Sequence, residues 1–175
     1  MHDAACMTVT LRSTWRLVGM QCTLPHNQAL ALAPGMQEYE ANIAPHKAAL
    51  FAKLFQALGN NPNTSTVLEI GIGTAPNLQY YAGRVCAQCK SCKIVNASFA
   101  QGVEVIGVDP NPEMQPYAEE TAELEFQQPG DSLRLLTGSA EQLPLPDASV
   151  DAAVCTLVLC SVKQPNKVIV IFCHT

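Results

Sequence analysis

Basic residues are scarce in this sequence. Its 175 residues include 10 Lys and Arg against 15 Asp and Glu, which gives a formal net charge of −5. Because binding to phosphate backbones needs a basic face, this balance gives no reason to expect a nucleic-acid partner. No apolar run comes near the roughly 20 residues that cross a bilayer, so we predict no transmembrane segment.

The composition of a secreted disulfide domain is also absent. Such domains are short and loop-rich, whereas this chain is 48% hydrophobic, has α/β patterning and shows no secretory signal. We therefore interpret its eight cysteines as mostly reduced thiols. We predict an intracellular protein, cytoplasmic or organellar, with one domain of ordinary size over residues 36–175 and enough apolar residues for a core. The sequence does not indicate an oligomeric state.

Residues 1–35 show no clear hydrophobic period. They hold one acid, Asp3, and two arginines, Arg12 and Arg16. We predict a divergent or disordered tail. Low acid content with scattered Arg, Ser and Thr is also typical of a targeting segment for a plastid or mitochondrion, and the apolar patches of this tail are compatible with peripheral membrane contact.

A strand, a glycine turn and a helix start follow one another in the middle of the chain. Thr66–Ile70 is apolar and β-branched, which is typical of a buried parallel strand. Gly71 and Gly73 come next, and Pro76 suits the first turn of a helix. This arrangement brings backbone N–H groups close to a nucleotide-like ligand in doubly wound sheets.

Two acids refine this interpretation. Glu69 lies inside the apolar strand, where a carboxylate is costly without a partner, and Asp109 ends the next strand, Val103–Val108. The third glycine of the dinucleotide pattern is absent because Pro76 occupies its place. The pattern therefore favours S-adenosylmethionine over NAD, and an NAD-binding oxidoreductase is the disfavoured alternative.

The remaining elements complete an α/β pattern. Helices are predicted over residues 36–58, 77–82 and 112–124, and further strands over 133–137 and 150–159. The predicted fold is a Rossmann-like, doubly wound, mainly parallel sheet of about four strands in the order 3-2-1-4, with helices on both faces. The Val/Ile/Phe run at 167–172 is expected either to pair with the fourth strand or to expose an apolar surface.

Three cysteines with two residues between neighbours, Cys86, Cys89 and Cys92, raise the question of a metal site. Zinc and iron–sulfur sites of this kind generally need four ligands, and no fourth Cys or His follows nearby. Removing residues 84–101 restores the usual spacing of about 20 residues between the glycine turn and a ribose-binding acid. We therefore interpret 84–101 as an inserted surface loop and expect no metal site.

Three stretches together carry a family resemblance: residues 67–81 (VLEIGIGTAPNLQYY), 107–112 (GVDPNP) and 151–163 (DAAVCTLVLCSVK). They resemble the class I S-adenosylmethionine-dependent methyltransferases of the type-11 domain. Within these, the chain is most similar to the methyltransferase-like 7 thiol methyltransferases and their plant and algal relatives. The resemblance implies S-adenosylmethionine as cofactor and methyl transfer to a small acceptor, with a thiol favoured.

The resemblance also implies a set of cofactor-binding residues. Glu69, Gly71 and Gly73 match the motif that contacts the methionine end and the sugar, and Asn77 belongs to the same motif. Asp109 matches the acid that takes both ribose hydroxyls. The other implied contacts are Pro110 and Asn111 beside the adenine, Ala140 and Glu141 at its edge, and Cys155 and Thr156 below the sulfonium. No catalytic base is identified.

The chain departs from the family pattern at two places. Ala75 stands where the family usually has glycine, which can be accommodated if φ is negative there. After Val168 the family's Arg-x-Leu-x-Pro-Gly-Gly segment and last three strands are not found, so we expect a C-terminally truncated member. The alternative function is therefore a catalytically inactive fragment that binds cofactor weakly or acts through protein contacts.

Overall fold

A computed structural model describes residues 7–11, 18–20, 34–58, 65–82, 102–159 and 161–172. Within these ranges the strands are β1 (Met7–Leu11), β2 (Val18–Met20), β3 (Ser65–Ile70), β4 (Val103–Asp109), β5 (Ser132–Thr137) and β6 (Ala152–Thr156). The helices are α1 (Pro34–Leu58), α2 (Leu78–Tyr81), α3 (Gln115–Glu125) and α4 (Pro165–Phe172), and a 3-10 turn over Pro112–Met114 leads into α3.

The central strands form the predicted parallel sheet. The order across the sheet is β2-β1-β6-β3-β4-β5, and the four strands β3 to β6 run parallel to one another. Counting only the parallel strands in chain order gives 3-2-1-4, so the predicted fold class is confirmed. From β3 the chain adds β4 and β5 on one side, and it then crosses to the other side of β3 to add β6. The boundary between β3 and β6 is therefore the point where the winding reverses.

Two apolar layers cover the sheet. One contains side chains from α1, α2 and α3, including Phe51, Leu54, Leu78 and Ala118. The other contains Val168 of α4 packed with residues from the opposite face of β3, β4 and β6. β3 and β4 are buried on both faces, which explains their nearly continuous apolar sequence.

The segment predicted as a tail contributes two strands that the sequence did not predict. β1 pairs antiparallel with β6 along its whole length, from Met7 opposite Thr156 to Leu11 opposite Ala152, and β2 pairs with β1. Over the described residues the sheet therefore has six strands where four were expected. The added strand covers an edge of β6 that would otherwise present unpaired backbone groups.

Two expectations about the last part of the chain are corrected. β6 ends at Thr156, earlier than the predicted residue 159, because Leu157 has a φ of 61° and leaves the extended conformation. The Val/Ile/Phe run forms α4 and does not pair as a strand. Val168 is fully buried against the sheet, so packing of a helix outweighs the β propensity of the run.

No helix within the described ranges is both long and apolar enough to cross a membrane.

The proposed cysteine insertion, residues 84–101, lies outside the described residues, as do Asp3, Arg12 and Arg16. Pro45 lies inside α1, which continues through it.

Candidate functional site

The glycine turn after β3 is fixed to the end of β4. The Gly71 N–H donates to the Val108 carbonyl at 2.7 Å, and Gly71 and Gly73 have φ values of 68° and 54°. A Cβ at Gly71 would collide with Val158, whereas a Cβ at Gly73 would meet nothing within 4 Å. The turn is thus closely packed at its first glycine and open at its second.

Ala75 continues this left-handed backbone. Its φ is 59°, so the condition under which alanine is accommodated without strain at this position, a negative φ, is not met. The Ala75 N–H donates to the Ile72 carbonyl at 2.9 Å, and the residue is fully buried. The tight turn fixes the conformation despite the strain that a Cβ suffers there.

Asp109 lies directly beside the open glycine. Its Oδ2 accepts a hydrogen bond from the Gly73 N–H at 3.0 Å, and its Oδ1 accepts from the Asn111 N–H at 2.9 Å. A carboxylate has about four acceptor positions, so each oxygen keeps one for a further donor. A narrow crevice beside this pair is lined by Gly73, Asp109, Met114, Gln115 and Leu136.

A second polar group is buried beneath the turn. The Asn77 side-chain amide donates to Glu69 Oε1 at 2.6 Å and to Thr156 Oγ1 at 2.8 Å. Glu69 and Asn77 are each 1% exposed and Thr156 is 8% exposed. The hydrogen bonds therefore join the ends of β3 and β6 through the residue that precedes α2.

Burial raises the pKa of Glu69 to about 7. The increase is limited by the Asn77 hydrogen bond, by a polar contact with the Tyr81 hydroxyl and by the charge of Lys47. Tyr81 lies next to Glu69 without a well-formed hydrogen bond, because neither its hydroxyl nor Glu69 Oε2 has a partner at hydrogen-bonding geometry among the described residues. Burial also raises the pKa of Tyr81, and the nearby Glu69 charge adds to this effect.

The other predicted residues divide between surface and interior. Pro110 and Asn111 are exposed at the end of β4, whereas Ala140 and Cys155 are buried. Glu141 accepts hydrogen bonds through Oε1 from the Lys163 N–H at 2.8 Å and the Gln164 N–H at 3.4 Å, just before α4. These donors lower the pKa of Glu141.

Sequence reasoning missed Lys47 and Tyr81. Lys47 is 1% exposed and Tyr81 is also 1% exposed. A signal for Lys47 was present, since it lies four residues after Ile43 and four before Phe51 on the apolar face of α1. A lysine on that face needs a buried anion, and Glu69 inside an apolar strand is the complementary feature.

The arrangement fits a nucleoside-containing cofactor. Gly73 leaves space where a side chain would stand, and the adjacent Asp109 carboxylate keeps acceptor positions for paired hydroxyls. Glu69 Oε2 is buried and has no hydrogen-bond partner among the described residues, so this carboxyl, besides feeling the charge of Lys47, fits the neighbourhood of a further positively charged group. These features lie at the carboxyl ends of β3 and β4, beside the winding reversal where open α/β sheets bind ligands.

Comparison with known proteins identifies a matching family. Residues 68–171 match the family described as "Methyltransferase domain". Thiol S-methyltransferase TMT1B of Mus musculus is 30% identical over 150 residues, which cover 83% of this chain and 50% of that protein. Thiol S-methyltransferase TMT1A of Homo sapiens is 29% identical over 136 residues, covering 75% of this chain and 46% of that protein. The chain thus spans about half the length of these relatives.

Solved structures give partial matches. The YcgJ protein of Bacillus subtilis is 26% identical with a TM-score of 0.40, covering 61% of this chain and 36% of that chain. A SAM-dependent methyltransferase of Methanosarcina mazei is 23% identical with a TM-score of 0.36, covering 50% of this chain and 34% of that chain.

Proposed function

The chain belongs to the methyltransferase domain family, and on that basis we propose that it transfers a methyl group from S-adenosylmethionine to a small acceptor, with a thiol as the favoured acceptor. S-adenosylmethionine is the cofactor of this family. The thiol is favoured because the relatives TMT1A and TMT1B are named thiol S-methyltransferases.

The observation that supports cofactor binding most directly is the contact between Gly73 and Asp109. The carboxylate is held 3.0 Å from the N–H of a glycine whose Cβ side is open. Two ribose hydroxyls need a paired acceptor, and Asp109 has one acceptor position left on each oxygen. Pro110 and Asn111 follow at the exposed edge, where the resemblance assigns the adenine.

The residues of this chain are proposed to bind S-adenosylmethionine and to orient its methyl group toward the acceptor. When bound, S-adenosylmethionine supplies a methyl group on a sulfonium, which needs no acid to leave. Asp109 would fix the nucleoside, and Glu69 would place negative charge near the methionine end. Transfer to a thiolate is an in-line displacement, so holding donor and acceptor in line supplies much of the rate. No described side chain is assigned as the base that deprotonates the thiol.

Isothermal titration calorimetry with S-adenosylhomocysteine tests the binding half of the proposal. Wild-type protein is expected to bind, and Asp109→Ala is expected to lose affinity by about tenfold or more because a pair of charge-assisted hydrogen bonds is removed. Asp147→Ala is a matched control, since Asp147 is exposed and lies in a separate turn. Absence of binding by the wild type would overturn the proposal.

Turnover of a simple alkyl thiol by the purified chain tests the transfer half. Methylated thiol and S-adenosylhomocysteine should appear in equal amounts, and both should form at least about tenfold more slowly in Asp109→Ala when S-adenosylmethionine is below its dissociation constant. Binding of S-adenosylhomocysteine without any thioether product would instead support the alternative, a catalytically inactive member that keeps its cofactor site.

A further inference from the structure

The Asn77 side chain spans the boundary where the winding of the sheet reverses. Glu69 lies near the end of β3 and Thr156 at the end of β6, and these strands are parallel neighbours. Asn77 is the residue before α2. A single amide nitrogen donates to Glu69 Oε1 at 2.6 Å and to Thr156 Oγ1 at 2.8 Å. One side chain therefore joins the strands on both sides of the reversal.

The chemistry of these partners fixes the orientation of the Asn77 amide. An ionised carboxylate only accepts hydrogen bonds, so when Glu69 is charged the NH₂ end must face it and the carbonyl oxygen must point elsewhere. That oxygen, Asn77 Oδ1, is buried and has no partner among the described residues, as is also true of Glu69 Oε2. An apolar side chain would avoid the cost of such buried atoms, so packing alone does not account for an asparagine at this position.

We propose that Asn77 is a positioning residue, which holds the Glu69 carboxylate and the Thr156 hydroxyl in fixed orientation beneath the glycine turn and does not itself contact the cofactor. Asn77 is 1% exposed, and its amide nitrogen is already engaged by two protein acceptors. The inference rests on the proposed function, because it assigns a role in binding the methyl donor. It also changes the role that the family resemblance implied for Asn77.

Glu69 is the group through which this role can be measured. The charged or polar groups that face it are Lys47 from α1 and Asn77 and Tyr81 from the segment after the glycine turn. The neighbouring strands present Gly107 of β4 and Val154 of β6 in register with it. Asn77 stabilises the charged form of Glu69, so removing its amide should make the carboxyl retain its proton to higher pH.

The test compares Asn77→Leu with Gln79→Leu, a matched control whose exposed amide lies on α2 and donates to the Pro76 carbonyl. Infrared spectroscopy of the cofactor-free protein, referenced to Glu69→Gln, reports the pH at which the buried carboxyl ionises. We expect this midpoint to rise by about one to two pH units in Asn77→Leu and to stay unchanged in Gln79→Leu. The affinity for S-adenosylhomocysteine should fall about tenfold in Asn77→Leu alone.

If Asn77→Leu does not fold, a second pair of variants, at Thr156, tests the same proposal. Thr156→Val removes one acceptor of the amide and should raise the midpoint by a smaller amount, whereas Thr156→Ser keeps the hydroxyl and should behave as wild type. An unmoved midpoint in the tested variant overturns the proposal, and so does a moved midpoint with unchanged affinity. If the wild type binds no S-adenosylhomocysteine, the proposed function fails, and the midpoint alone decides whether Asn77 controls Glu69.

Discussion

The Gly73 amide donates a hydrogen bond to the Asp109 carboxylate across a distance of 3.0 Å. A second backbone amide, from Asn111, binds the other oxygen of the same carboxylate at 2.9 Å. The acid is therefore oriented by the backbone of two loops, and its direction is set before any ligand arrives. Such preorganisation reduces the ordering that binding has to impose.

Asp109→Asn should weaken both the fold and the site. An asparagine has one acceptor oxygen, so it cannot accept from Gly73 and Asn111 through separate oxygens as the carboxylate does. We expect the free energy of unfolding to fall by about 1 kcal/mol and the affinity for S-adenosylhomocysteine to fall at least about tenfold. Chemical denaturation and calorimetry measure the two effects. Asp147→Asn should change neither, and equal losses in both variants would contradict the assignment.

Alanine substitutions at the two glycines of the turn should differ in cost. Gly73→Ala meets open space and carries only the left-handed strain of about 1–2 kcal/mol. Gly71→Ala adds a collision with Val158, so a loss of about 2–4 kcal/mol is expected. Unfolding in urea measures both values. Adding Val158→Ala should recover part of the Gly71→Ala loss and none of the Gly73→Ala loss; equal recovery would rule out the predicted collision.

Ala75→Gly should stabilise the protein. Ala75 has a φ of 59°, a conformation that disfavours a Cβ by about 1–2 kcal/mol. Glycine removes this strain, but it also raises the conformational entropy of the unfolded chain, which offsets part of the gain. The expected net gain is about 0.5–1 kcal/mol in the free energy of unfolding. Ala118→Gly, inside α3, is the control and should lose about 1 kcal/mol. A loss at both positions would mean that the buried methyl of Ala75 outweighs its strain.

Stability should decrease with pH through Glu69. Its folded-state pKa of about 7 is above the ordinary value of 4.5, so the folded protein holds this proton more tightly than the unfolded chain. The resulting stabilisation is complete below about pH 4.5 and is lost as the pH rises to about 7. The difference between the two pKa values corresponds to about 3 kcal/mol in the free energy of unfolding. Comparing unfolding of wild type and Glu69→Gln between pH 5 and 8 isolates this part, and identical slopes would contradict it.

The sequence predicted the features that local pattern determines. The apolar runs at β3 and β4 are buried on both faces as their composition indicated. The position of Asp109 beside the glycine turn followed from topology, because adjacent parallel strands end at the same edge of a sheet. The roles of the individual site residues in binding cofactor stay predictions.

Features that depend on contacts between distant segments could not be predicted in this way. β1 pairs with β6, and no local signal in either strand specifies that partner. α4 has a strongly β-branched sequence, but Val168 is buried against the sheet and the preceding amides are bound by Glu141. The role of Lys47 could be predicted only by considering the apolar face of α1 together with Glu69 in β3, because each element taken alone gives no reason to connect the two residues.

The pairing of β1 with β6 has a consequence for the order of events during synthesis. Met7 lies opposite Thr156, so the partner of the first described strand leaves the ribosome only after nearly all the described chain. Until then the backbone groups of β1 have no β6 to pair with, and the closing contact spans a very long loop, which slows folding. We therefore expect the pairing of β1 with β6 to be among the last contacts to form, with the backbone of β1 open to aggregation until β6 has been made.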